Sequence, residues 1–220
     1  MNGEIIMKEI KRFVLTGGPS SGKSQSMPHI KAHLEANGYK VICIDETSTQ
    51  IINSNIHWRD ENVDAMTYQK AIFKMQKSKE DVFEEVAKGI NYDKVVILCD
   101  RGLLDGKAYI DEAKFHIIAG MNGIASEKEM LDRYDMVLYL DTTAGKVTMT
   151  YGNENNKART ATSTEAQLFG QRVRSAWSKH PNLVDIPCTP RFEDKVSLIC
   201  SHIDNHLNIK TPPIVGPVKE

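Results

Sequence analysis

An α/β domain, with a parallel sheet of about five strands and helices on both faces, is the fold class this sequence predicts. Two observations carry that reading. Short apolar runs alternate along the chain with longer segments of helical period. Two of the runs, VVILCD and MVLYLD, are continuously apolar and end in aspartate, as strands buried on both faces do.

The elements follow in order. Lys11–Thr16 (KRFVLT) reads as the first strand and leads into a glycine-rich turn. Lys23–Asn37 reads as a helix, closed by Gly38 where a left-handed residue ends helices. Tyr39–Asp45 is the second strand. From about Asp64 to Ile90, the residues Ile72, Met75, Val82, Phe83, Val86 and Ile90 keep the helical repeat. Lys94–Asp100 is the third strand, two short helices follow near Asp111–Ala119 and Ser126–Arg133, and Asp135–Asp141 is the fourth strand. The polar stretch Thr142–Ser163 reads as an exposed loop or lid. Ala166, Phe169, Val173, Ala176 and Trp177 mark an amphipathic helix, and Leu183–Ile186 is a short fifth strand. Phe192, Val196, Ile199, Ile203 and Leu207 form one face of a last helix. Residues 1–210 are expected to be one domain, and the Pro-rich 211–220 a loosely held tail.

Composition narrows the function classes. The net charge of -1 offers no bulk attraction to nucleic acid or to an anionic membrane surface. No apolar run approaches the roughly 20 residues that span a bilayer. The first residues, MNGEIIMKEIKR, lack the apolar stretch of a signal peptide. The four cysteines form no C-x-x-C pair, and Cys43 and Cys99 sit inside apolar runs. A cytoplasmic protein with reduced thiols is expected. His202 and His206 have the i, i+4 spacing of a metal pair, but no third ligand lies near them in sequence.

The sharpest motif is Gly17-Gly18-Pro19-Ser20-Ser21-Gly22-Lys23-Ser24, which fits G-x-x-x-x-G-K-[ST] without a mismatch. The glycines let the backbone wrap a phosphate with its N–H groups turned inward. Lys23 brings a cation to the β and γ phosphates, and Ser24 offers a hydroxyl to Mg²⁺. The helix starting at Lys23 adds its positive end, so that Gln25 also borders the anion site. ATP or GTP, with Mg²⁺, is the expected cofactor set.

A second carboxylate is needed to help hold the metal. Asp100, closing VVILCD, is the candidate, and Arg101 beside it can reach a phosphate or substrate. Glu46 ends the second strand on the side where open parallel sheets bind ligands. There it can act as the base that takes the proton of an attacking hydroxyl, or merely stand at the start of the next helix. In the lid, Arg159 is a candidate for the charge that builds during phosphoryl transfer, as is Arg172 in the helix after it; a solvated helix face is the plainer role for both. His57 and Trp58 either border an acceptor pocket or anchor a loop.

The order KRFVLTGGPSSGKS, CDRGLLDGKAY and NNKART…EAQ…R.R.AW..HP resembles a family of small P-loop ATPase/kinase-like proteins. That family includes the ribosylnicotinamide-kinase-like domain of the NadR regulator and the nucleotide-binding domain of the fly TRPL translocation defect protein. The resemblance runs from about Lys11 to Leu207 and implies a nucleotide-kinase-like core with an arginine-bearing lid. By matching position it assigns phosphate to Gly17–Ser24, magnesium to Asp100 and the lid to Arg159, and it places Glu46 where related deoxynucleoside kinases keep a carboxylate base. Gly102 departs from those kinases, which carry a hydroxyl or aromatic residue after the Asp-Arg pair.

These readings converge on a magnesium-dependent kinase that transfers the γ-phosphate to a hydroxyl of a nucleoside-like small molecule. The alternatives are a nucleotide-dependent regulatory or adaptor module with little turnover and, more weakly, a kinase acting on hydroxymethylated bases in DNA. The partners expected are a nucleoside triphosphate and a small-molecule acceptor.

Overall fold

The computed structural model describes residues 8–142 and 163–210, without the side chains of 163–166. The two segments that sequence reads as lid and tail, with Lys157 and Arg159 in the first, therefore lie outside the described residues. The strands are β1 (Glu9–Thr16), β2 (Lys40–Ile44), β3 (Lys94–Asp100), β4 (Met136–Leu140) and β5 (Leu183–Ile186). They form one parallel sheet in the order β2-β3-β1-β4-β5. The three central strands carry side chains buried on both faces, which is why their sequences run apolar without alternation.

The helices are α1 (Lys23–Ala36), α2 (Thr47–Asn53), α3 (Ala65–Gly89), α4 (Glu112–Met121), α5 (Glu127–Leu131), α6 (Ser163–Ala176) and α7 (Phe192–Leu207). A 3-10 turn, η1, covers Leu103–Ala108. Two cores result. On one face α1 and α7 pack on the sheet through Ile30, Leu34, Ile199 and Ile203. On the other α3, α4, α6 and η1 gather around Phe73, Phe115, Val173 and Trp177. Helix α3 starts at Asp64, whose carboxylate accepts from the Thr67 N–H, and α4 starts at Asp111, which accepts from Lys114 N–H.

Sequence and structure differ chiefly in the short elements. Helix α2 and η1 have seven and six residues, too few to show a helical repeat. β1 begins two residues before Lys11, because Glu9 and Ile10 pair with Lys94 and Val95. Among the described residues no helix is long and apolar enough to cross a membrane.

The strand order places the site. β1 pairs with β3 on one side and β4 on the other: the chain goes from β1 to β2 and β3 on one side, then crosses from β3 to β4 on the other. The crevice at such a switch point, beyond the carboxyl ends of the strands, is where open α/β sheets take ligands.

On the α3 core face Glu80 is a fully buried charge. Its carboxylate accepts from Arg133 Nε and Nη2 at 3.1 Å, from the Tyr134 hydroxyl at 2.9 Å and from Gln76 Nε2 at 2.9 Å. Arg12 lies 3.6 Å away on β1. Removing one partner from such a cluster leaves buried cations without their anion, which costs about 3–5 kcal/mol. Glu80→Ala is therefore expected to lower unfolding free energy by about that amount in a denaturant titration; an unchanged midpoint would show that the cluster contributes nothing net.

Candidate functional site

The glycine-rich segment joins β1 to α1, as its sequence demands. Gly17 has φ 140°, and a Cβ there would lie 2.2 Å from the Leu140 carbonyl oxygen, so no side chain fits between the loop and the end of β4. Gly22 stands at the head of α1 with φ 86°, and Ser20 also lies in the left-handed region at φ 57°. These turns close the loop over Lys23, which is only 3% exposed. Its ammonium donates to the Gly17 carbonyl at 3.1 Å, the Gly18 carbonyl at 2.9 Å and Ser21 Oγ at 3.1 Å. The loop thus holds a desolvated cation in its mouth.

A second buried lysine secures the loop from behind. Lys195 of α7 is 0% exposed and donates to the Ser21 and Asp141 carbonyls, each at 3.1 Å. Burial pulls its pKa below the ordinary lysine value. Thr142 Oγ1 adds a bond to the Pro19 carbonyl at 2.8 Å. Nothing in the spacing of Lys195 distinguishes it from the other lysines, so sequence reasoning missed it.

The register of β1 and β3 brings Leu15 opposite Asp100. That pairing sets the end of β3 beside the first turn of α1. Ser24 Oγ donates to Asp100 Oδ2 at 2.6 Å. The other carboxylate oxygen, Asp100 Oδ1, is buried and has no hydrogen-bond partner among the described residues. Burial raises the pKa of Asp100, and the charge of Glu46 adds to the rise. A buried carboxylate with an unmet oxygen, beside an exposed hydroxyl, is a hard-oxygen donor set suited to Mg²⁺. The two residues that sequence assigned to the metal are in contact, and the orphaned oxygen fits that ion.

Arg101 follows Asp100 at φ 74°, a strained conformation for a bulky residue. Its backbone N–H donates to the Leu15 carbonyl at 2.9 Å. Its guanidinium reaches Glu46 Oε1 from Nε at 2.7 Å, and from Nη1 the Gly17 carbonyl at 3.2 Å and Asp105 Oδ1 at 3.0 Å. Its carbonyl also accepts from Gln76 Nε2 at 3.1 Å, and together these contacts over-determine the strained residue.

Glu46 occupies the N-cap position of α2, but its side chain makes no capping bond. It turns instead to Arg101 and accepts from Thr49 Oγ1 at 2.6 Å. Burial pushes its pKa up, but Arg101 and Lys23 outweigh that and hold it at about 2. The carboxylate thus stands at the start of α2 without a capping bond, ionised and tied to Arg101.

Asp105 is the residue that sequence reasoning quoted, in DRGLLD, without giving it work. It is 4% exposed and takes four donors. Oδ1 accepts from Thr16 Oγ1 at 2.7 Å and from Arg101; Oδ2 accepts from the Gly102 N–H at 3.2 Å and Trp177 Nε1 at 3.0 Å. One buried carboxylate therefore ties together β1, the β3 end and the residue just after α6. Trp177 also explains Gly102, where a Cβ would lie 2.9 Å from the indole ring and 3.1 Å from Tyr134.

The remaining candidates are placed as follows. Gln25 is exposed on the first turn of α1. Arg172 is exposed on α6, with its guanidinium 6.0 Å from the Phe169 ring centre. Trp58 is 45% exposed between His57 and Arg59. His202 is half-buried on α7, in no metal-ligating cluster of the described residues. The four cysteines are free thiols.

The model of an AAA domain family matches residues 12–194. The chain belongs to that family. No curated protein matches the sequence. Among solved structures the chain is similar to the NadR protein in complex with NAD and AMP-PNP, at TM-score 0.59 and 11% identity over 96% of this chain and 52% of that one. NadR in complex with NR gives TM-score 0.62 and 10% identity over 94% of this chain and 54% of that one. The chain thus spans about half the length of those NadR chains. Thymidylate kinase from Ehrlichia chaffeensis gives TM-score 0.56 and 14% identity, over 90% of this chain and 99% of that one. The five-stranded parallel sheet is that of P-loop kinase folds, and the family resemblance read from the sequence holds.

The Gly102 contact yields a test. Gly102→Ala forces the Trp177 ring off its seat and is expected to cost about 1–3 kcal/mol by overpacking. Thermal denaturation checks it; equal stability would mean that the indole is not locked against the Asp-Arg-Gly turn.

Proposed function

We propose that the protein is a kinase, transferring the γ-phosphate of ATP or GTP to a hydroxyl of a nucleoside-like small molecule. One observation carries the reading. The metal pair Ser24–Asp100, the phosphate lysine and the Glu46–Arg101 ion pair converge at the carboxyl ends of β1, β2 and β3. A protein that only binds nucleotide needs the first two groups; the ionised carboxylate beside them is the group a hydroxyl acceptor needs.

The roles follow from the chemistry. The backbone of Gly17–Ser24 wraps the phosphates, and Gln25 borders them. Lys23 exchanges its three loop acceptors for phosphate oxygens, an exchange of neutral for charged partners that favours the bound state. Ser24 and Asp100 would hold Mg²⁺, which would supply charge neutralisation to the phosphates. Arg101 holds the crevice wall and keeps Glu46 ionised.

Phosphoryl transfer passes through a loose transition state, in which the attacking hydroxyl keeps its proton until late. A carboxylate held at about 2 is a weak base, but it accepts the hydroxyl's hydrogen bond and aims its lone pair. Glu46 in this reading orients first and takes the proton last. Arg159 of the lid segment and Arg172 of α6 are the cations left to meet the moving phosphoryl group.

Purified protein with ATP and Mg²⁺, offered a panel of nucleosides, is expected to form a monophosphate. Lys23→Ala is expected to weaken nucleotide binding in calorimetry by at least about tenfold, as loss of a charge-assisted contact does, with the fold intact. Glu46→Gln is expected to spare ATP binding and lower transfer by about 10²–10⁴. Tight ATP binding with no acceptor phosphorylated would contradict the kinase reading.

A further inference from the structure

Helix α3 buries two polar side chains, Gln76 and Glu80, on the face that also carries Phe73 and Ala87. The two stand one helical turn apart and meet each other. Buried polar groups of this kind can often be replaced by apolar ones without loss of stability, so stability alone does not call for them. What Gln76 touches gives it a different task.

Gln76 Nε2 donates to Glu80 Oε1 at 2.9 Å and to the Arg101 carbonyl at 3.1 Å. Gln76 Oε1 accepts from Thr47 Oγ1 at 2.5 Å. Both N–H groups and the carbonyl of the amide are therefore engaged, and only one way round fits. Turned over, the amide would set its oxygen against a carboxylate and a carbonyl. Thr47 is buried like Gln76 and Glu80, so water does not compete for these bonds.

The partners of Gln76 flank the Glu46–Arg101 pair. Thr47 follows Glu46 directly as the first residue of α2. One turn along α3 from Gln76, Lys79 donates to the Asp45 carbonyl at 2.7 Å, so α3 holds the chain on both sides of Glu46. At Arg101 the strained backbone is tied at both ends. Its N–H goes to Leu15, and its carbonyl to Gln76. With both flanking peptide planes fixed, neither backbone angle of Arg101 can relax. The Arg101 side chain then closes a ring back to Glu46 at 2.7 Å. Glu80 steadies the ring from outside, because Arg133 and Tyr134 hold it to the start of β4.

We infer that Gln76 is a positioning residue for phosphoryl transfer: backed by Glu80, its amide locks the Arg101 backbone and the head of α2, so that Glu46 and Arg101 keep one arrangement. This rests on the kinase reading of the site. The hydrogen bonds of Gln76 go to Thr47, Glu80 and Arg101, none of which wraps the phosphates or holds the metal. Gln76 acts through Glu46 and leaves the binding of the phosphate donor alone.

The test uses Gln76→Met, which keeps the length of the side chain and removes all three bonds, and Thr47→Val, which removes one hydroxyl. Transfer from radiolabelled ATP is followed to whichever nucleoside of the panel the wild type phosphorylates. Gln76→Met is expected to lower kcat by about 10–100-fold through misplacement, with KM for ATP unchanged. Thr47→Val is expected to show the same pattern with a smaller loss. Added to Glu46→Gln, either change is expected to cost nothing further, because a residue that acts through Glu46 then has nothing left to position. The same fold-loss with and without the Glu46 carboxylate would mean general loosening of the fold and would overturn the inference. An unchanged kcat in both variants would overturn it as well, as would a rise in KM for ATP that accounts for the loss. Each of these leaves the kinase reading intact. If Gln76→Met does not fold, Thr47→Val and its pairing with Glu46→Gln decide alone. Phosphorylation of no nucleoside by the wild type would overturn both readings.

Discussion

The 2.6 Å bond between Ser24 and Asp100 is the contact on which the rest of the structure depends. It exists because β1 and β3 are parallel neighbours in the register that sets Leu15 opposite Asp100. A shift of one residue in that register would turn Asp100 to the other face of the sheet. The sheet's burial on both sides prevents the shift, since every side chain of β3 after Lys94 is buried. Two apolar cores thereby fix the distance between a hydroxyl and a carboxylate. The carboxylate oxygen that results, without a partner among the described residues, is unfavourable in the protein alone, and a cation there would relieve it. Stability is surrendered at one point so that affinity can be recovered there.

A similar logic runs through Arg101, Asp105 and Trp177. Arg101 is strained, and strain persists only where the surroundings hold it. Asp105 supplies much of that hold and passes it to Trp177 at the end of α6. The two stretches that carried the family resemblance, DRGLLD and AW..HP, are thus one structural unit, joined by an indole N–H on a buried carboxylate and by an indole ring on a bare glycine. Helix α6 emerges from the segment that holds Arg159, so the position of its last turn is referred directly to the guanidinium that orients Glu46.

Much of this was legible in the sequence, for physical reasons. Strands buried on both faces must be apolar throughout, so β3 and β4 announce themselves. A loop that wraps phosphate needs glycine where Leu140 crowds Gly17, so the motif cannot drift. Asp100 was found because metal chemistry asks for a carboxylate at a strand end. Lys195, Asp105 and Gln76 were not found. Each acts through atoms brought close by folding and distant in sequence: Lys195 reaches the loop from α7, Asp105 is met by Trp177, and Gln76 reaches Thr47 and Arg101 from α3. Short elements such as α2 escaped because seven residues carry no period. Glu46 was read with two roles, and its bond to Arg101 was beyond the sequence, since the two residues lie far apart in the chain.

The central claim is that Asp100 is kept as a buried anion for a metal that accompanies a nucleotide. Calorimetric titration of ATP, with and without Mg²⁺, into wild type and Asp100→Asn tests it most directly, paired with the melting temperature of each ligand-free protein. The pKa of Asp100 is raised by folding, so its ionisation at neutral pH works against the ligand-free fold. The neutral amide is therefore expected to leave the ligand-free protein at least as stable as the wild type and to abolish the Mg²⁺-dependent part of ATP affinity. Equal enhancement of ATP binding by Mg²⁺ in both proteins would contradict the account.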